Sequence, residues 1–126
     1  MANVIDTDVL IDVTKGNPDA IAYLESITDL AISSITAMEI IVGANTQRQT
    51  IALDVSLAAF PRLPLTPTIS ATAYDLLKQY ARSHGLRPFD ALIAATVLAG
   101  KHTLITSNLK HFRFIPNLSV TAPNYR

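Results

Sequence analysis

The chain has no cysteine and no tryptophan, and only four glycines among its 126 residues. Without cysteine there are no disulfides, no thiolate metal sites and no cysteine nucleophile, so any metal falls to oxygen or imidazole ligands. The absence also fits a reducing compartment. Charged residues are scarce, at 16% against 49% hydrophobic, which excludes a disordered chain and points to an apolar globule with surface available for a partner. The longest apolar run, residues 91–99, falls far short of the roughly 20 residues that span a bilayer. The start also lacks a basic region followed by an apolar stretch. A cytoplasmic protein with no membrane attachment is the expectation.

What is present suits one domain over residues 1–126, a length that buries roughly two thirds of its unfolded surface. The zero formal net charge hides a division. Residues 1–63 hold three Lys/Arg against eight Asp/Glu, and residues 64–126 hold seven against two. If Arg82, Arg87, Lys101, Lys110 and Arg113 fringe an acidic pocket, a phosphate backbone is gripped there while a metal occupies the pocket. Ordinary solvated surface explains the same charges equally well.

Apolar runs and breakers alternate strand with helix from end to end. Val4 and Ile5 read as a buried parallel strand that stops on Asp6 and Asp8, with a helix starting at Asp8. Asn17-Pro18 opens a second helix with Ile21 and Leu24 on its apolar face, and Leu30–Ser33 is a second strand. Thr36-x-x-Glu39 reads as a capping box opening a helix through Ile40, Ile41 and Val42. Residues 46–60 are helical but poorly patterned, and Pro61, Pro64 and Pro67 punctuate a third strand around Leu63 and Leu65. Thr68 caps a helix ending at His84 and Gly85. Pro88 starts another, with Phe89, Leu92, Ile93, Thr96 and Val97 on one face. Residues 103–106 and 118–121 complete the strands. Parallel strands joined by helices form three layers with right-handed crossovers, and active groups gather at one sheet edge.

Four acids, Asp6, Asp8, Glu39 and Asp90, fall where a strand or loop hands over to a helix. Singly, each is explained by the favourable field of a helix N-terminus. Together they suit a hard cation such as Mg²⁺ or Mn²⁺, which polarises a phosphodiester, acidifies water and shields the leaving oxygen. Hydrolysis of a nucleic-acid backbone is the matching reaction.

The segments V-I-D-T-D-V-L-I-D (residues 4–12), S-I-T-A-M-E-I-I-V-G (34–43), R-P-F-D-A-L-I-A-A-T (87–96) and L-I-T-S-N-L-K-H-F (104–112) resemble the successive signatures of PIN-domain ribonucleases, specifically VapC-like toxins of toxin-antitoxin pairs. The resemblance spans nearly the whole chain. It implies a PIN-like α/β/α fold with a roughly five-stranded parallel sheet, and an endoribonuclease acting on transfer RNA or another structured RNA. It also implies a small VapB-like antitoxin that occludes the pocket, and a homodimer. Asp6 and Asp90 match the direct ligands of Mg²⁺ or Mn²⁺, and Glu39 matches an acid that positions water or a second ion. Asp8 stands where the family has Asn or Ser and reads best as a helix cap. The family's fourth acid falls at the position of Asn108 or His111, and neither is acidic here. Asn108 is left as a weaker ligand and His111 as a phosphate contact. Thr106 matches a hydroxyl beside the pocket, while Arg87 and Lys110 are candidate substrate contacts.

Tyr74, Tyr80 and Phe112 are candidates for stacking on unpaired bases, with Tyr80 more at home in the core. Two other readings remain. Asp6-x-Asp8 after the first strand also suits a haloacid-dehalogenase-like phosphatase with an aspartyl nucleophile, although Asp90 is then unexplained. The missing fourth acid also suits a non-catalytic PIN-like interaction module.

Overall fold

The computed structural model describes residues 1–126. Five strands, β1 (Asn3–Ile5), β2 (Leu30–Ser33), β3 (Arg62–Leu63), β4 (Thr103–Ile105) and β5 (Ser119–Thr121), form one sheet, all neighbours parallel, in the order β3-β2-β1-β4-β5. The chain leaves β1 toward β2 and β3, then returns to lay β4 and β5 on the other side. The order therefore reverses between β1 and β4, where a crevice opens beyond the strand ends in folds of this kind.

Alternation along the strands sends Val4 and Leu104 to one face and Ile5, Ile32 and Ile105 to the other. The first face carries α5 (Pro67–His84) and α6 (Pro88–Ala99), through Ile69, Ala73 and Leu76 and through Ala91 and Ile93 to Val97. The second carries α1 (Thr7–Thr14), α2 (Pro18–Glu25), α3 (Ser34–Val42) and α4 (Gln47–Leu57), through Val9, Leu10, Leu24, Ile40 and Leu57. The expected three-layer α/β/α architecture stands. α3 straddles both layers, with Ile35 in the first core and Ala37 and Ile40 in the second.

Several local expectations shift, each for an identifiable reason. The N-cap of α3 is Ser33, whose hydroxyl accepts the Thr36 amide at 3.0 Å, so β2 runs directly into the helix. Glu39 is therefore a second-turn residue rather than half of a capping box. Thr66, not Thr68, caps α5, because Pro67 takes the first helical position, which needs no amide. Asp6, not Asp8, caps α1. Leu65 lies outside β3 and is exposed. α6 is buried over most of its surface rather than along one stripe, and Phe89 projects outward, 56% exposed.

Gly85 ends α5 at φ 70°, a left-handed conformation that glycine adopts without steric penalty. Gly100 is required for a different reason. A Cβ there would lie 2.0 Å from the His102 ring, which is fixed because its Nδ1 accepts the Ala2 amide at 2.9 Å. No helix is long and apolar enough to cross a membrane.

Phe112, a candidate for base stacking, is instead sealed in the first core at 1% exposure. Phe112→Ala is expected to lower unfolding stability by about 3–5 kcal/mol, measured by denaturant titration. A loss below about 1 kcal/mol would contradict its core role.

Candidate active site at the strand switch point

Asp6 follows β1 directly, and Thr106 follows β4 directly, on either side of the switch point. The Asp6 main-chain amide donates to the Ile105 carbonyl at 2.9 Å, extending the β1–β4 ladder by one residue. Its side chain is 5% exposed. One carboxylate oxygen accepts the Thr7 amide at 2.8 Å, and the other accepts the Thr106 hydroxyl at 2.7 Å. Thr106 is fully buried, and its Oγ1 accepts the Asn108 amide at 3.0 Å, so the loop after β4 is threaded onto Asp6.

Burial pushes the Asp6 carboxyl up to about 7; the Thr106 bond opposes this, and the Asp8 and Asp90 carboxylates add to it. No Lys or Arg side chain is paired with it.

Glu39 reaches the same neighbourhood from α3. The Thr7 hydroxyl donates to its Oε1 at 2.7 Å and lies 3.0 Å from the Thr36 hydroxyl, which is itself 3.3 Å from Ser33 Oγ. A run of three hydroxyls thus steers one carboxylate oxygen. Asp90 arrives on the first turn of α6, whose N-cap Arg87 makes no side-chain cap bond. Burial raises its carboxyl above the usual range, the nearby His111 and Arg87 pull it down, and Glu39 and Asp8 push it up. His111 Nδ1 stands 3.8 Å from Asp90 Oδ2.

Asp8, displaced from the expected cap by Asp6, lies in the first turn of α1. Oδ1 accepts the Val9 amide at 2.8 Å, while Oδ2 accepts the Ser107 amide at 3.0 Å and the Asn108 side-chain amide at 3.3 Å. Of the basic residues expected to fringe the pocket, Arg87 sits beside Asp90, and Lys110 shares with His111 the 3₁₀ turn Leu109–His111. Lys101 belongs elsewhere. It lines a cavity of about 470 Å³ with His102, Asn117 and Ser119, at the amino ends of the strands. Tyr74 is exposed, while Tyr80 packs edge-on against Phe114 on the first core.

The four acids face one another electrostatically, yet no three Asp, Glu or His side chains gather into a ready ligand set. The donor chemistry still fits a hard cation. All the acids are carboxylates, like charges in a water-poor setting repel, and the buried Ser107 hydroxyl has no partner in the fold.

Sequence reasoning missed the Thr7, Thr36 and Ser33 hydroxyls, for which the only signal was their place next to Asp6 and in the turn before Glu39. It also missed Tyr125 and Arg126. The Tyr125 hydroxyl and the Arg126 guanidinium donate to Asp12 Oδ2 at 2.7–2.9 Å, which ties residues 125–126 to α1. Those bonds hold Asp12 below the usual carboxylate range despite partial burial.

A parallel α/β sheet that gathers one buried carboxylate, Asp6, and three partly exposed acids beyond its strand ends suits an anionic substrate held through a cation. The chain belongs to the PIN-domain family, whose profile matches residues 4–115. It is 34% identical over 119 residues to Ribonuclease VapC10 of Mycobacterium tuberculosis (strain ATCC 25618 / H37Rv), covering 91% of this chain and 89% of that one. It is 29% identical over 120 residues to Ribonuclease VapC19 of the same strain, covering 91% and 95%. Its fold superimposes on a toxin-antitoxin complex from Klebsiella pneumoniae with TM-score 0.80 and 32% identity, over 95% of this chain and 96% of that one. PIN-domain ribonucleases depend in general on a divalent metal.

Asp6 sets a pH dependence. Its folded-state pKa lies above the unfolded value, so its protonated form stabilises the fold below about pH 4, and that stability is lost as pH rises through about 7. The cost at pH 8 is on the order of 4 kcal/mol. In chelator-treated protein, Asp6→Asn should melt several degrees above the unsubstituted chain at pH 8 and close to it at pH 4. A gap that does not widen with pH would contradict the assignment.

Proposed function

We propose that this chain is a Mg²⁺- or Mn²⁺-dependent endoribonuclease toxin of the VapC type, held in check by a VapB-like antitoxin. The observation that carries the reading is the buried Asp6 carboxylate, facing Asp8 and Asp90 with no cation of its own. A carboxylate kept at such cost has a use, and a divalent ion supplies the missing countercharge.

Asp6 and Asp90 are the ligands of this reading, with Glu39 the third acid and Asn108 a weaker, neutral donor. The bound ion would polarise the scissile phosphodiester and lower the cost of charge on the leaving oxygen. Glu39 keeps Oε2 free, because Thr7 engages only Oε1, and so can accept a proton from the attacking water. The water oxygen bonds to phosphorus, one phosphorus–ribose oxygen bond breaks, and the freed ribose oxygen takes up a proton. Arg87 and His111, beside Asp90, and the exposed Lys110 in the same turn as His111 contact neighbouring phosphates. Transfer RNA is the leading substrate within structured RNAs, cut in a single-stranded loop.

The relatives named as ribonucleases and the superimposable toxin-antitoxin complex support both activity and partner. Two surface features suit the expected contacts. One, formed by Met38, Val42 and Phe89, adjoins Glu39 across a cavity of about 240 Å³ and suits a second copy of the chain. The other lies in a groove of about 590 Å³ between α1, α3 and α4 and suits an antitoxin segment. The phosphatase reading is disfavoured because it leaves Asp90, whose charge is felt at Asp6, without a role. The missing fourth acid leaves three acids intact, so it gives the interaction-module reading no support.

Partner-free protein incubated with total RNA should cleave it in Mg²⁺ and stop in chelator. Asp90→Asn should cut the rate by at least about 10²-fold while keeping the far-UV circular dichroism unchanged. Cleavage that persists in chelator or in Asp90→Asn would overturn the proposal.

A further inference from the structure

Asp8 is overdetermined as a helix residue and underexplained as a charge. Asp6 already occupies the N-cap of α1, and the bond from the Val9 amide to Asp8 Oδ1 is one an asparagine oxygen would accept equally well. The second oxygen turns away from the helix, to the Ser107 amide and the Asn108 side-chain amide. Both donors are neutral. No Lys, Arg or His forms an ion pair with the carboxylate; Arg126, committed to Asp12, bonds only the Asp8 main-chain carbonyl at 3.5 Å and feels the carboxylate through space.

The same three-residue loop therefore joins two carboxylates: Thr106 bonds Asp6, and Ser107 and Asn108 bond Asp8. The Asn108 amide closes the link by donating to Thr106 Oγ1. A negative charge placed on Asn108 would lie next to the one on Asp8, because the Asn108 side-chain nitrogen is 3.3 Å from Asp8 Oδ2.

We propose that Asp8 carries, from the first turn of α1, the fourth negative charge of the cation site that the 107–111 loop does not supply, and that the Asp8–Asn108 pair is exchangeable. This rests on the metal-assisted reading of the preceding section. Asp8 acts as a positioning residue, setting the field at Asp6 and the pose of the Thr106 loop. Ligand charge count tunes divalent-ion affinity, and groups that only orient the ligands commonly contribute 10–100-fold.

The test is Mn²⁺ binding without RNA, followed by loss of the free-ion electron paramagnetic resonance signal, alongside Tm in chelator. Asp8→Asn should weaken Mn²⁺ binding by about tenfold or more, while its Tm in chelator separately reads the cost of turning an amide NH2 toward the Ser107 and Asn108 donors. The exchange Asp8→Asn with Asn108→Asp should recover affinity to within about threefold, and Asn108→Asp alone should bind more tightly than the unsubstituted chain. The single Asn108→Asp change keeps the idea testable if Asp8→Asn fails to fold.

Unchanged Mn²⁺ affinity in Asp8→Asn would overturn the proposal, as would an exchange that fails to recover, or Asn108→Asp that binds no more tightly. An unsubstituted chain that takes up no Mn²⁺ would bring down the metal-assisted reading itself, a result distinct from either of those.

Discussion

The 2.7 Å hydrogen bond from Thr106 to the Asp6 carboxylate is the interaction on which the rest of the structure turns. It spans 100 positions of sequence and joins the ends of the two strands between which the sheet order reverses. Because both partners are buried, it fixes where Asp6 points, and that direction decides which face of the molecule is acidic. The α/β layers exist to keep this pair dry. Val4 and Ile5 lock β1 into opposite cores, and Leu104 and Ile105 do the same for β4.

A dry carboxylate beside others is unfavourable, and the fold offsets the repulsion only in part. Three of the four acids are tethered by neutral donors, Thr7 and Thr106 for Asp6, the Thr7 hydroxyl for Glu39, and Ser107 and Asn108 for Asp8, while Asp90 has only His111 beside it. Neutral donors orient charge without cancelling it, and the result is a preorganised field that a divalent cation would neutralise. Asp12 shows the contrasting solution within the same helix. It is satisfied by Tyr125 and Arg126, sits low in pKa and asks for no further partner. The start of α1 and its last turn thus hold acids in opposite settings, Asp12 matched by a cation and Asp6 matched by none.

The order of strands and helices was legible because apolar runs such as Val4–Ile5 and Leu30–Ile32 are bounded by Pro, Gly and acids. Asp6 and Asp90 stand where the sequence put them, at a strand end and in a helix first turn, whereas Glu39 was picked out through a capping box that the structure does not form. Cap assignments slipped by two or three residues where several hydroxyls compete, as at Ser33 against Thr36 and Thr66 against Thr68. α6 misled because a helix buried over most of its surface has no stripe to read, so Phe89 was placed inside. The link between Asp8 and Asn108 and the clasp between Asp12 and Arg126 were invisible for a common reason. Both join positions about a hundred residues apart and leave no local pattern.

The central claim is that the Asp6 carboxylate is held for a divalent cation. Mn²⁺ titration calorimetry at pH 7, in buffers of differing ionisation enthalpy, tests it directly, because an ion entering this site must displace the proton that Asp6 holds near neutrality. The account predicts release of a sizeable fraction of a proton per ion bound, lost in Asp6→Asn. Binding with no proton exchange, or exchange that survives Asp6→Asn, would contradict it.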